Sequence, residues 1–516
     1  MKLIKRFLKK KPARVLFFII VFACLPAAWS LLRPGLFVSD DAEWMVIRLT
    51  AFHQALAVGE LPVRFAFRLN HGYGYPVFNF VYPGGFYLGE IFHLIGMNFV
   101  NAIKMVFGLS IILAGLFSFL WLRTRFSPTA SFLGSLFYIY TPYFLWDVYK
   151  RGSMGEVLAL ALVPLFLWAI EKRNWWLGGL AYGMLVISHN IIAFIFTPIF
   201  ILYIFLTNRT LQKAIGYTLA TILLGLALSA FFWLPAIWES RLTVLSQTVV
   251  GKPLEHFASN ISLLGVINLF VLFFALLLFL KKKEKLVGFF IAIFVLAIFL
   301  STQVSVFFWR IFPWSYLFQY PFRFLSLTLP AAAFLAAFVF EKSFEKKRAI
   351  WLGLILVVLF FFSMPFARPT EFVQKEEGFY LTNEHSTTIH NEFMPTWAKV
   401  HPTERPQEKV EVIEGQAQIE AFKDGGKRIE FKTNSEKPVV VRVNTLYYPG
   451  WQVFIDGEKA SFSFENDRGV IEIPIEKGEH QVLVKFGEVP FRLFTDAISL
   501  AGIIFVGGLL IKRKFK

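Results

Sequence analysis
With 516 residues, 56% of them hydrophobic and 18% aromatic, and a mean hydropathy of +0.58, the chain lies far from the balance of a water-soluble domain and reads as an integral membrane protein. Its 52 basic and 35 acidic residues give a net charge of +17, but many of the cations stand in short clusters between apolar runs, which argues for membrane orientation and against nucleic-acid binding. The single cysteine, Cys24, falls inside the first apolar run, so the chain has neither a disulfide framework nor a thiolate metal cluster.

The start, Met1 to Arg14, is basic, and the apolar run behind it continues to about Leu32 without a small-residue cleavage site, as in an uncleaved signal anchor. Runs long enough to cross the hydrocarbon as helices recur along the chain. The first six are Arg14–Leu32, Phe99–Leu122, Pro128–Trp146, Gly155–Ile170, Trp175–Ser188 and Ile191–Leu206. The remainder are Ala214–Ile237, Ile261–Leu280, Leu286–Thr302, Pro321–Phe340, Ala349–Phe366 and Leu493–Ile511, which predicts about twelve crossings. The basic clusters Lys2–Lys11, Arg123 with Arg125, Lys172 with Arg173, Arg209 with Lys213, Lys281–Lys285, Lys342–Arg348 and Lys512–Lys516 then all fall on one side. Positive charge is kept inside, so both termini are expected in the cytoplasm and the protein in the cytoplasmic (inner) membrane.

The opposite, outer face receives the loop 33–98, short loops at Asp147–Met154 and His189, longer ones at Glu239–Asn260 and Gln303–Tyr320, and the whole segment 367–490. The expected organisation is therefore a transmembrane domain over 1–366, an extracytoplasmic domain over 367–490, and a final helix with a basic tail over 491–516. In the first outer loop, Asp41 to Val58 reads as a helix lying along the membrane surface, with Trp44, Ile47, Leu49, Phe52 and Leu56 among its apolar positions. Asn70 to Pro76, which includes Tyr75, is turn-rich, and Tyr82-Pro83-Gly84-Gly85 opens a short helix toward Ile95. From Val410 to Phe486 the pattern alternates, with Asp456-Gly457 and Lys477-Gly478 as turns, which predicts an antiparallel β-sandwich.

Nearly every unusual polar residue falls on the outer face. Asp40 and Glu43 have the spacing of a helix-capping box, which accounts for both and leaves Asp41 to chemistry; Asp40 and Asp41 are also candidate ligands for a divalent cation. Arg48, two turns on and nearly on the face of Asp41, either holds a phosphate or substrate hydroxyl or snorkels to lipid headgroups. Asp147, Arg151 and Glu156 crowd the next outer loop, either as a plain ion pair or as a cationic cradle for phosphate, Arg151 being suited by its planar fork. His189 breaks an apolar stretch, and Arg310 and Arg323 are further cations of this face, Arg323 being costly at the start of a span unless paired or facing a polar cavity. The chain has no nucleotide-type Gly-rich phosphate loop and no zinc spacing, and a soluble nucleotide would be scarce outside the cell, so a lipid-borne donor fits better.

These residues resemble the bacterial polytopic membrane glycosyltransferases of the GT-C fold, in particular the YfhO-like and 6-pyruvoyl-tetrahydropterin synthase-related membrane family. The matching elements are Ser39 to Leu49, Gly72-Tyr73-Gly74-Tyr75-Pro76, Arg151-Gly152 with Glu156, His189-Asn190, Pro321-Phe322-Arg323-Phe324, and Tyr447-Tyr448-Pro449-Gly450-Trp451 with Ile455-Asp456-Gly457. The resemblance implies an α-helical GT-C-like bundle. It also implies sugar transfer from a polyprenyl-phosphate donor in the membrane to an envelope glycan, lipid or protein. Asp41 would be the base with Asp40 as helper, Arg48, Arg151, His189 and Arg323 would hold the phosphate, Glu156, Asp147 and Tyr75 would support them, and Mg or Mn would be the cation at Asp40 and Asp41. The pterin label finds no clustered histidine zinc site. Two other classes compete: a lipid-linked-sugar transporter or flippase, which would place its polar residues near the bilayer midplane, and a non-catalytic polysaccharide-binding protein stacking sugars on Tyr448 and Trp451.

Overall fold
The computed structural model describes residues 12–246, 253–258, 261–311, 315–344 and 346–514; the Lys2–Lys11 cluster, the end of the basic tail and parts of the 239–260 and 303–320 loops lie outside the described residues. All twelve apolar segments are helical in the main, but three of them break, one of these, Ile261–Leu280, at Gly265 between a short turn and the helix Val266–Lys281. The helix Pro128–Ile139 stops before the five-residue helix Pro142–Trp146, because the ring of Pro142 forces Thr141 into an extended conformation with ψ 125°. The expected span 214–237 divides at Ser229 into Leu211–Leu228 and Ala230–Ser240. Among the described residues eight helices are long and apolar enough to cross a membrane, or nine when Lys285–Ser301 is counted with the helical stretch Gln303–Ile311, bent from it by 78°; two of the other expected crossings are the shorter apolar helices Trp175–Ser188 and Val266–Lys281.

Burial sorts these helices into a centre and a periphery. Met154–Glu171 and the stretch Pro321–Ser343 are 89% and 94% buried, whereas Arg348–Ala367 is 11% buried and turns its apolar side chains outward. Small residues bring helices together where lipid supplies no hydrophobic drive: a Cβ on Gly183 would sit 3.0 Å from the Gly225 carbonyl oxygen of the neighbouring helix.

The long first loop is folded as its sequence predicts, into the helices Ala42–Ala57 and Gly84–Leu94. It is tied to the start of the C-terminal segment by a two-residue antiparallel pairing of β1, Leu36–Phe37, with β2, Phe372–Val373. The C-terminal domain comprises β3 Val410–Glu414, β4 Gln418–Asp424, β5 Arg428–Ser435, β6 Val439–Leu446, β7 Trp451–Ile455, β8 Glu458–Ala460, β9 Val470–Ile475 and β10 Gly478–Phe486. These make a five-stranded antiparallel sheet ordered β4-β5-β10-β7-β8 and a three-stranded one ordered β3-β6-β9, the architecture the alternation predicts. Ile429, Phe431, Val441, Val443, Ile471 and Ile473 are the inward half of that alternation. Asp456 and Gly457, both at positive φ, form the two-residue turn between β7 and β8 that their sequence signals.

Candidate active site
The site begins with a backbone join. The amides of Asp40 and Asp41 donate to the carbonyls of Lys150 and Arg151 at 3.0 and 2.8 Å, which fixes the N-terminus of helix Ala42–Ala57 against the wide turn Asp147–Arg151. Gly152 ends that turn with φ +66°, and a Cβ there would lie 2.4 Å from Ser39 Oγ and 2.7 Å from the Ala42 amide nitrogen. Only glycine permits this approach.

The capping box expected of Asp40 and Glu43 does not form. Asp41 occupies the N-cap without a side-chain cap bond, and the Ala42 amide donates to Ser39 Oγ at 3.2 Å instead. Asp40 turns to Lys150, Oδ1 to Nζ 3.2 Å, and Glu43 to Lys375 at 2.7 Å, because each has a cation within reach in a neighbouring segment. Asp41, 30% exposed at its side chain, faces Arg151 at 3.8 Å.

Behind Asp41 lies a buried cluster built from the two most enclosed helices. Arg151 Nη1 donates to Glu156 Oε2 at 2.8 Å and to Asp147 Oδ1 at 3.2 Å, and Arg323 Nε donates to the same Glu156 oxygen at 3.3 Å. The other Glu156 oxygen accepts from Tyr143. His189 closes the cluster: its Nδ1 accepts from the Ile192 amide at 3.2 Å, so the proton is placed on Nε2, which lies 3.8 Å from Glu156. Burial, reinforced by the Glu156 charge, lifts the Asp147 carboxyl well above the usual range, against the pull of Arg151 and Arg323. Asp41, Arg151, Glu156, His189, Arg323 and Asp147 therefore form one connected set, and the ion-pair reading of Arg151 with Glu156 holds within it.

Arg48 and Tyr75 stand apart and bind the C-terminal segment. Arg48 is buried and donates from both Nε and Nη2 to Thr387, neither free for a phosphate nor snorkelling to lipid. The Tyr75 hydroxyl meets Thr388 Oγ1 at 2.9 Å and accepts from the Phe393 amide at 3.0 Å. Arg310 is exposed on its own short helix. Tyr448 and Trp451 are almost wholly buried, Trp451 against Phe65, Phe67 and Phe486, so neither stands free as a stacking platform.

Several members of the site were not anticipated. Tyr143 hydrogen-bonds Glu156, Gln319 Oε1 accepts from Arg323 Nη1 at 2.6 Å, and the Tyr320 ring lies 4.9 Å beneath the Arg323 guanidinium. Tyr82 faces His189 with ring centroids 4.5 Å apart, and burial together with the Asp41 charge pushes its phenol up to about 12. The available signal was Gly155, beside Glu156: a Cβ there would lie 2.1 Å from the Tyr82 ring. Among the described residues no three His, Cys, Asp or Glu converge on a point. With Asp40 and Asp41 turned to separate cations, the residues present do not fit a divalent cation, which takes six or more oxygen ligands.

Fold and site together define a polytopic helical membrane protein with a buried Arg-Glu-His cluster under one part-exposed carboxylate, beside a C-terminal antiparallel β-domain. Residues 78–369 match the family described as 6-pyruvoyl-tetrahydropterin synthase related domain, membrane protein, and the chain belongs to that family. No curated protein matches it. Three solved structures are similar at low identity. Arabinofuranosyltransferase AftD from Mycobacteria is 16% identical over 69% of this chain, with a TM-score of 0.46, and this chain covers 26% of its length. The oligosaccharyltransferase of Archaeoglobus fulgidus in its apo form is 12% identical over 75% of this chain and 62% of its own, with a TM-score of 0.43. ArnT from Cupriavidus metallidurans bound to undecaprenyl phosphate is 14% identical over 67% of this chain and 64% of its own, with a TM-score of 0.37.

Proposed function
We propose that the protein is a GT-C-type glycosyltransferase of the cytoplasmic membrane, moving a sugar from a polyprenyl-phosphate donor to an extracytoplasmic envelope glycan, lipid or protein. The observation that carries this reading is Asp41: a part-exposed carboxylate held 3.8 Å from a buried arginine that is itself fixed by Glu156. The positive-inside pattern supports placing this face and the β-domain outside the cytoplasm, and the organisation 1–366, 367–490 and 491–516 follows from it.

In the reaction the acceptor hydroxyl forms a bond to the anomeric carbon while the bond from that carbon to the phosphate oxygen breaks. Asp41 takes the hydroxyl proton, and the electron pair of the broken bond leaves on the lipid phosphate. Arg151 and Arg323 lie where they can offset that developing negative charge, with the His189 Nε2–H as a further donor, and their pairing to Glu156 pre-orients them before substrate arrives. Glu156 is too enclosed and too fully bonded to act as the base. No step is routed through a metal. Replacing Asp41 by Asn keeps the shape and removes the base, so transfer from a polyprenyl-phosphate sugar by the purified protein is expected to fall by about 100-fold or more. Undiminished transfer would overturn the mechanism.

A further inference from the structure
A cleft of about 300 Å³ opens on the outside of the bundle, where helix Arg348–Ser363 leans on Val266–Lys281 and Thr328–Ser343. Every residue that lines it is apolar or aromatic, and Phe274, Leu354 and Val358 turn exposed surface outward. Walls of this kind offer no hydrogen bonds, and a hydrocarbon chain is what restores the dispersion contacts they lack. Phe344 and Trp351, ring centroids 4.9 Å apart, bound one end of the cleft. From Trp351 to Val358 it runs roughly 10 Å at 1.5 Å per residue, which keeps it within one leaflet of a hydrocarbon core about 30 Å thick.

The charge is gathered at the Phe344 and Trp351 end. The stretches 281–285 and 341–348 hold eight Lys and Arg against three Glu, a net charge of +5, and they meet there: Lys342 Nζ lies 3.6 Å from Glu284 Oε1. Among the described residues Lys342 and Arg348 are the two of these eight cations that reach a carboxylate, Arg348 at 4.0 Å from Glu341, and both pairs are part-exposed. This end is remote from the candidate active site. Arg323 precedes helix Thr328–Ser343 and Phe344 follows it, so the two stand roughly 30 Å apart at 1.5 Å per residue, about the thickness of the hydrocarbon. A phosphate at the mouth of the cleft is therefore not the one that would leave beside Asp41. From this juxtaposition of an apolar cleft one leaflet deep and a cationic mouth we infer that the cleft is a binding site for an anionic glycerophospholipid of the cytoplasmic leaflet. One acyl chain lies between the helices and the phosphate sits among the cations of 281–285 and 341–348. A zwitterionic lipid supplies the same chain but no net charge to the mouth, and so binds more weakly. The inference stands whether or not Asp41 transfers sugar.

The test titrates the delipidated full-length protein in detergent with dioleoyl-phosphatidylglycerol, dioleoyl-phosphatidylcholine and undecaprenyl phosphate, read by native mass spectrometry. Wild type is expected to bind phosphatidylglycerol roughly tenfold or more tightly than phosphatidylcholine, and the double variant Lys347→Gln/Arg348→Gln to lose most of that preference. Val358→Trp, which fills the cleft from its outer side, should weaken phosphatidylglycerol by about fivefold or more with unchanged melting temperature. Leu354→Trp, one turn nearer the mouth, should do the same and serves where the first variant melts early. Equal binding of the two phospholipids by wild type overturns the inference. Phosphatidylglycerol binding that neither tryptophan variant diminishes assigns the attraction to the charged edge alone and also overturns it. So does tighter binding of undecaprenyl phosphate that Val358→Trp abolishes, which would give the cleft to a polyprenyl chain.

Discussion

Glu156 holds two guanidinium groups out of water at once, Arg151 at 2.8 Å and Arg323 at 3.3 Å, and Arg151 also reaches the buried Asp147 carboxyl at 3.2 Å. Glu156→Gln would leave Arg151 and Arg323 facing a neutral amide, and breaking a buried pair from one side costs about 3–5 kcal/mol. A large fall in thermal stability is therefore expected. The milder Tyr143→Phe, which deletes one hydrogen bond to a charged group, should cost about 1.5–3 kcal/mol. Glu392, in the segment docked over Arg48, supplies a pH dependence. Burial pushes its carboxyl up to about 7 from an ordinary 4.5, against the pull of Arg48. A carboxyl raised on folding holds its proton more firmly in the folded chain, so its contribution is full below 4.5 and is lost as pH rises through 7. The melting temperature should fall between pH 5 and 8 in wild type, and this part of the slope should vanish in Glu392→Gln.

At the scale of elements, the decisive contact is between a turn and a helix end. Gly152→Ala places a methyl group against Ser39 Oγ and the Ala42 amide in a backbone conformation that itself costs L-residues roughly 1–2 kcal/mol. The amides of Asp40 and Asp41 should then separate from the 150–151 carbonyls, which faster hydrogen exchange at those two amides would report. This join also marks where reading the sequence succeeds and stops. Apolar runs, strand alternation and the Asp456-Gly457 turn are local signals, and each gives its helix or strand. The break at Thr141 is set by Pro142, whereas at Ser229 the Ser499 hydroxyl, 272 residues from Ala227, donates to the Ala227 carbonyl and accepts from the Phe231 amide. Asp40 and Glu43 have capping spacing but meet Lys150 and Lys375, which come from 110 and 332 residues away, as the pairs Asp40–Lys150 and Glu43–Lys375 show. Arg48 likewise finds Thr387, 339 residues away, for the same reason: burial and partner choice are long-range.

Over the whole molecule, a second buried ion pair joins parts that the sequence keeps far apart. Arg492, at the start of the last helix, grips both Glu239 oxygens at 2.8 and 2.7 Å, while Tyr448 from the β-domain and Asn79 from the first loop donate to Glu239 Oε2 at 2.7 and 2.8 Å. Glu239→Gln should cost about 3–5 kcal/mol and loosen the β-domain from the bundle. Limited proteolysis that cuts the variant before wild type within 367–490 would show it. This clamp and the Glu156 cluster hold the first loop between bundle and β-domain, and Asp41 inherits its position from that arrangement. The most direct measurement is therefore sugar transfer from a polyprenyl-phosphate donor by purified wild type, Asp40→Asn and Asp41→Asn. Asp40 sits in an exposed pair worth at most about 1 kcal/mol, so Asp40→Asn should keep nearly full activity while Asp41→Asn loses about 100-fold or more. Equal activity in all three, or loss in Asp40→Asn alone, would contradict the assignment of Asp41 as the base.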